Sequence, residues 1–126
     1  MADQDDVRRI ALSLPATTEG PDEARLQVDG KAFAWRWLER IDPKKARLPS
    51  RDVIAIRVAY EPDKQTLIEM DPAVFFTEAH YDGYPAILVR LAAIDLELLT
   101  LVLVAGWRSR APRRLVTEFD ATRRPD

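Results

Sequence analysis

The sequence contains no cysteine, which removes disulfides, thiolate nucleophiles and sulfur-ligated metal sites together. It has a single histidine, His80, so no cluster of imidazoles exists to hold a metal or relay protons. No run approaches the roughly 20 apolar residues that span a bilayer; the longest, Leu96 to Gly106, is interrupted by Glu97 and Thr100. The opening Met-Ala-Asp-Gln-Asp-Asp has neither the basic region nor the apolar core of a secretory signal. A large excess of either charge is also missing, and a net charge of −2 gives the whole molecule no attraction to phosphate backbones or acidic membranes. These absences lead to the expectation of a soluble cytoplasmic protein without metal, cofactor or membrane contact, in which any affinity for a polyanion is local.

What is present is a hydrophobic fraction of 47% in 126 residues, enough for one core and too little chain for two. Residues 1–126 are expected to form one domain, with 120–126 a flexible tail. Val7, Ile10, Ala11 and Leu14 recur at helical spacing until Pro15. Residues 16–24 are turn formers without period and read as a loop. Strands at 25–29 and 32–38 flank Asp29-Gly30-Lys31, a hairpin signal. The charged, proline-containing stretch 39–52 reads as an exposed loop before a strand at 53–58. Glu61-Pro62 opens a helix with Leu67, Ile68 and Met70 on its apolar face, and Asp71-Pro72 opens a shorter turn through Phe76. Strands at 78–81 and 86–91 surround Asp82-Gly83-Tyr84-Pro85. Asp95 caps a helix to about Arg108, and Ala111-Pro112 restarts a short one through Phe119. This order predicts a two-layer α+β fold, with an antiparallel sheet of about five strands packed against helices.

The ordered set Val28-Asp29-Gly30-Lys31-Ala32-Phe33-Ala34, His80-Tyr81-Asp82-Gly83-Tyr84-Pro85 with Val89-Arg90-Leu91, Gly106-Trp107-Arg108 and Ala111-Pro112-Arg113-Arg114-Leu115 resembles the MmcQ/YjbR-like family of small bacterial proteins. The likeness runs from about residue 7 to 119, and Gly30, Phe33, His80, Tyr81, Gly83, Tyr84, Pro85 and Trp107 carry it. It implies a fold similar to that of the frataxin homologue CyaY, likened also to the double-wing domain of a phage transcription factor, and with it a DNA-binding label. Ala86 and Leu26 stand where the family commonly carries aromatics. Frataxin-type iron binding needs an acidic ridge on the first helix; here Asp3, Asp5 and Asp6 give way to Arg8 and Arg9, and no iron is expected.

His80, flanked by Glu78 and Asp82, lacks a second imidazole and a nucleophile, so it is read as a brace of its turn and no catalytic residue is assigned. Alternation puts Phe33, Trp35 and Trp37 on one face of their strand, expected to pack beneath the helices. Ile54, Ile56, Val58 and Ile87, Val89, Leu91 share that inward face. Arg36, Arg57 and Arg90 then project together from the uncovered face as a candidate phosphate or nucleic-acid surface, unless acidic neighbours pair with them. Residues 36–57 carry seven basic and three acidic side chains, a local +4, and 58–107 carry two and eight, a local −6. Arg40, Lys44, Lys45, Arg47 and Arg51 are the densest basic element; Arg108, Arg110, Arg113 and Arg114 cluster at a helix end, where the helix dipole also favours cations. The sequence thus predicts a non-enzymatic binding protein with weak DNA affinity. The alternative is a protein interaction module or homodimer through the helix at 95–108, whose run Leu98 to Ala105 is apolar nearly all round.

Overall fold

The computed structural model describes residues 2–20, 25–39 and 48–123. Helix α1 (Gln4–Leu12) opens with a reciprocal cap, in which the Asp3 carboxylate accepts from the Asp6 amide and the Asp6 carboxylate from the Asp3 amide. Strands β1 (Thr17–Glu19), β2 (Leu26–Val28), β3 (Lys31–Glu39) and β4 (Leu48–Arg57) follow, then α2 (Asp63–Met70), β5 (Phe75–Phe76), a 3-10 turn over Ala79–Tyr81, β6 (Ala86–Arg90), α3 (Leu96–Arg110) and α4 (Arg113–Arg123). The strands form one antiparallel sheet in the order β1-β2-β3-β4-β6-β5. The α+β class and antiparallel sheet agree with expectation, with six strands in place of about five. β1 falls where a loop was expected. The residues expected as a strand at 78–81 form a 3-10 turn, and β6 pairs instead with β5. α4 runs through Arg123, so the helix continues into the expected tail.

The hairpin from β2 to β3 turns through Asp29 and Gly30, both at positive φ (53° and 72°), the mirror-image turn whose twist matches paired strands. Just beyond it, β3 gains a residue on β2. Gln27 pairs with Ala32 and Leu26 with Ala34, leaving Phe33 without a partner in the ladder. Such a bulge shifts the two-residue period by one. Phe33 and Ala34 are therefore both fully buried in the core beneath the helices, while Trp35 and Trp37 turn to the other face. The expectation that Phe33, Trp35 and Trp37 share a face is corrected here, and Arg36 goes with the correction. It pairs across the ladder with Ile54, whose side chain is in the helix-side core. A second irregularity follows between Arg36 and Leu38; on the β4 side the Ser50 hydroxyl accepts from the amides of Asp52 and Val53. Gln4 of α1 donates to the carbonyls of Ser50 and Val53, satisfying groups that a regular ladder would otherwise occupy.

Beneath α1 and α3 lie Leu26, Phe33, Ile54, Ile56, Ile87 and Val89, met by Val7, Ile10, Leu99, Leu103 and Trp107. Trp107 is fully buried, donates its indole N–H to the Pro15 carbonyl at 3.0 Å and packs on Phe119 of α4, centroids 5.0 Å apart. α3 reaches the sheet closely because residue 106 is glycine: a Cβ there would stand 3.0 Å from the Arg57 carbonyl oxygen and 3.0 Å from the Ile56 side chain. α3 is not covered all round. Leu99, Val102, Leu103 and Val104 are buried, but Leu96 is 42% exposed and Leu101 61%, the latter across a groove from Met70 of α2, whose expected place on the apolar face leaves it 57% exposed. Among the described residues no helix is long and apolar enough to cross a membrane.

α2 is tied to the sheet by a residue of the wrong polarity for a core. Lys64 is 4% exposed and its ammonium donates to the carbonyls of Tyr81 (2.5 Å) and Tyr84 (3.0 Å). Each of these carbonyls also accepts from an amide of the turn, Tyr84 and Ala86 respectively, so the ammonium takes up their remaining lone pairs with charge-assisted bonds. Replacing Lys64 by Met keeps the stem and removes both bonds. The expected outcome is a loss of about 1–3 kcal/mol in urea unfolding, with faster hydrogen exchange at the amides of Tyr84 and Ala86, which close this turn onto the carbonyls of Tyr81 and Tyr84. An unchanged unfolding midpoint with unchanged exchange would show that the ammonium does not hold the turn.

Candidate nucleic-acid interface

The sheet face away from α1 and α3 is built on Val53, Ala55 and Leu88, all buried, with Trp35, Trp37, Phe76 and Tyr81 packed half-exposed upon them. The aromatic groups brace one another edge to face. Trp37 meets Phe76 with centroids 5.9 Å apart, Trp35 meets Tyr84 at 6.2 Å, and Tyr81 meets Tyr84 at 6.0 Å. Trp35 donates its indole N–H to the Tyr81 oxygen at 3.0 Å. That oxygen keeps its own proton to donate, and burial pushes the Tyr81 phenol above its ordinary range, so it stays protonated at neutral pH.

Two arginines lie over this aromatic floor. Arg90 places its guanidinium 4.0 Å from the Phe76 centroid and donates to the Pro72 carbonyl; Arg57 lies 5.4 Å from the Tyr84 centroid with Nη1 3.4 Å from the Tyr84 oxygen. Both land on the open face as expected from β4 and β6, and each stacks on an aromatic with no carboxylate in salt-bridge range among the described residues. Stacking orients a guanidinium without neutralising it, leaving its charge for an anion.

The third arginine of the expected trio is elsewhere. Arg36 lines a helix-side cleft of about 310 Å³ with Gln4, Asp5 and Leu26. Arg51 is exposed at the start of β4, and with Arg36 it borders a second cleft whose other walls include Asp3 and Asp5, acidic residues at the start of α1. Arg40, Lys44, Lys45 and Arg47 lie outside the described residues. Of the helix-end cluster, Arg108 is bound by both oxygens of Asp120, which holds its guanidinium pKa above the usual value, and Arg113 and Arg114 are exposed.

His80 sits in the 3-10 turn with its side chain 68% exposed and its Nδ1 3.3 Å from the Glu78 carboxylate. The ring is therefore mostly exposed and not packed into the turn, and Lys64 holds the carbonyls of Tyr81 and Tyr84. Tyr81 and Tyr84 brace the segment edge to face, and Gly83, at φ 75°, supplies its left-handed step. Trp107 is committed to the helix-side core and does not join His80 and Tyr84 in a pocket.

A third concavity opens beside Trp35, of about 430 Å³, lined by Arg25, Arg57, Arg110, His80, Tyr81 and Tyr84. Sequence reasoning missed Arg25 entirely and placed Arg110 only at a helix end. Neither has a local signal, because one comes from the segment before β2 and the other from the last residue of α3. Among the described residues no group of three or more His, Asp and Glu is placed to hold a metal ion.

No family model matches the chain. It is 40% identical over 126 residues, covering 94% of this chain and 96% of theirs, to uncharacterised proteins of Mycobacterium bovis (Mb2600) and Mycobacterium tuberculosis (Rv2570). Among solved structures its fold is similar to that of the Deinococcus radiodurans protein DR2400, a DUF419 domain, with a TM-score of 0.61 and 18% identity over 85% of this chain and 77% of that one. This second likeness is one of fold alone. The first spans nearly the whole of both chains, and the chain belongs to the family of these mycobacterial proteins.

Proposed function

We propose that the chain is a non-enzymatic binding protein of the MmcQ/YjbR-like, CyaY-like group that holds single-stranded nucleic acid, DNA in the first instance, across its open sheet face. The observation that carries this reading is the pairing of half-exposed Trp35, Trp37 and Phe76 with two unneutralised guanidiniums, Arg57 and Arg90, on one face. Aromatic faces stack on bases regardless of sequence, at about 1–3 kcal/mol per base, while arginines meet phosphates. A rigid duplex hides its bases from such a surface, so a single strand is the better fit. The fold likeness to a DUF419 domain is compatible with the group named and adds nothing about ligands. Fluorescence anisotropy with a labelled single strand and the matching duplex tests the reading. The expected result is binding that strengthens as salt falls, favours the single strand and weakens on Arg90→Ala. Absence of binding at low ionic strength overturns it.

A second reading, self-association through the helix expected at 95–108, is favoured by one observation. Leu101 and Met70 stand exposed over a groove of about 420 Å³ with Leu67, Leu98, Val102 and Ala105 in its walls. A strip of this kind is commonly covered in a twofold dimer. Sedimentation equilibrium is expected to give a mass that rises with concentration for the native chain and stays monomeric for Leu101→Lys. A monomer throughout the concentration range rejects this second reading.

A further inference from the structure

The concavity beside Trp35 gathers three guanidiniums from three separate parts of the chain. Arg25 comes from the segment before β2, Arg57 from the end of β4 and Arg110 from the end of α3. Like charges repel when gathered, and none of the salt bridges among the described residues involves Arg25, Arg57 or Arg110. The architecture holds each in place by other means. The Arg25 stem packs against the backbone of Gly20, its Cδ lying 3.3 Å from where a Cβ on residue 20 would stand. Arg57 is steered by the Tyr84 ring and hydroxyl. Arg110 is delivered by α3, whose close approach to β4 depends on the missing side chain at Gly106. Its Nε is shielded from solvent and has no acceptor among the described residues.

We infer that this concavity is a binding site for a phosphate monoester, with Arg25, Arg57 and Arg110 as its charge partners and the hydroxyls of Tyr81 and Tyr84 as neutral donors. A monoester phosphate carries about −1.5 to −2 at neutral pH, against −1 for a diester within a strand, so three guanidiniums in one recess match the monoester better. Planar guanidiniums also suit phosphate oxygens by bidentate contact. The phenols have protons to give, since the Tyr81 oxygen accepts from Trp35 and the Tyr84 oxygen from Arg57. At about 430 Å³ the space exceeds a bare phosphate and falls within the range of small-ligand pockets, with Trp35 as an aromatic wall for the organic body. The monoester has two chemical sources, a free mononucleotide or the terminal phosphate of a strand. The inference rests on the nucleic-acid reading only for the second, because Arg57 serves both surfaces.

The test is calorimetric titration of the full chain at low ionic strength with adenosine 5′-monophosphate, adenosine and inorganic phosphate, together with anisotropy on single strands that carry a 5′-phosphate or a 5′-hydroxyl. The expected result is that adenosine 5′-monophosphate and phosphate bind and adenosine does not. Affinity should fall about tenfold or more on Arg110→Ala and on Arg25→Ala, a loss in keeping with one charged hydrogen-bonding partner. Arg25 is exposed, so Arg25→Ala keeps the test open if Arg110→Ala unfolds. A 5′-phosphate preference abolished by the same variants assigns the site to strand ends; mononucleotide binding without any strand binding supports the pocket while overturning the nucleic-acid interface. Strand binding indifferent to the end group, with no response to mononucleotide or phosphate, overturns the pocket and leaves the interface standing. Equal binding of adenosine and its monophosphate, or native affinity in both arginine variants, also overturns it.

Discussion

One unpaired residue in β3 decides what each face of this protein is made of. Because Phe33 has no partner in β2, the chain beyond it is shifted by one position, and a shift of one in a strand sends every later side chain to the opposite face. Without that step Trp35 and Trp37 would lie under the helices with Phe33, and Arg36 would join Arg57 and Arg90 outside. With it, the helix side receives Phe33 and Ala34 as a tight layer against which Gly106 brings α3 close. The open side receives two indoles that the small satellite core of Val53, Ala55 and Leu88 only half covers.

The open face inherits its chemistry from this exchange. It gives up one arginine and gains two large rings, and the arginines that remain are each placed on an aromatic surface instead of against a carboxylate. A guanidinium over a ring contributes roughly 0.5–1 kcal/mol when exposed, enough to restrict the side chain and too little to satisfy its charge. Several acidic side chains are engaged elsewhere, Asp6 with Arg9 and the α1 cap, Glu19 with Arg8 and Asp120 with Arg108, while Glu78 stays near this face beside His80 and Tyr81. A protein of net charge −2 thereby keeps one face on which Arg57 and Arg90 make no salt bridge among the described residues. Lys64 serves a different end, spending its ammonium on two carbonyls of the segment that carries Tyr81 and Tyr84.

Most of the fold was legible because its signals are local. Asp29-Gly30 announces the mirror-image turn, Asp95 the start of α3 by capping the Leu98 amide, and the spacing of Val7, Ile10, Ala11 and Leu14 the buried side of α1. Elements too short to show a period were not: β1 has three residues and β5 two, and their strand character comes from their neighbours. The bulge was hidden for a related reason. Neither glycine nor proline marks Phe33, so perfect alternation was the natural reading of Phe33-Ala34-Trp35-Arg36-Trp37, and it misassigned Arg36 while leaving Arg57 and Arg90 correct. Lys64, Arg25 and Arg110 lie beyond any pattern along the chain, since their roles come from contacts made only once helices and sheet are assembled.

The face assignment of β3 is tested most directly by nuclear Overhauser contacts from the rings of Phe33, Trp35 and Trp37. The expected result is a Phe33 ring in contact with side chains of the helix-side core, a Trp35 indole N–H close to Tyr81, and a Trp37 ring close to Phe76. Phe33, Trp35 and Trp37 all in contact with α3, with Arg36 beside Arg57 and Arg90, would contradict it.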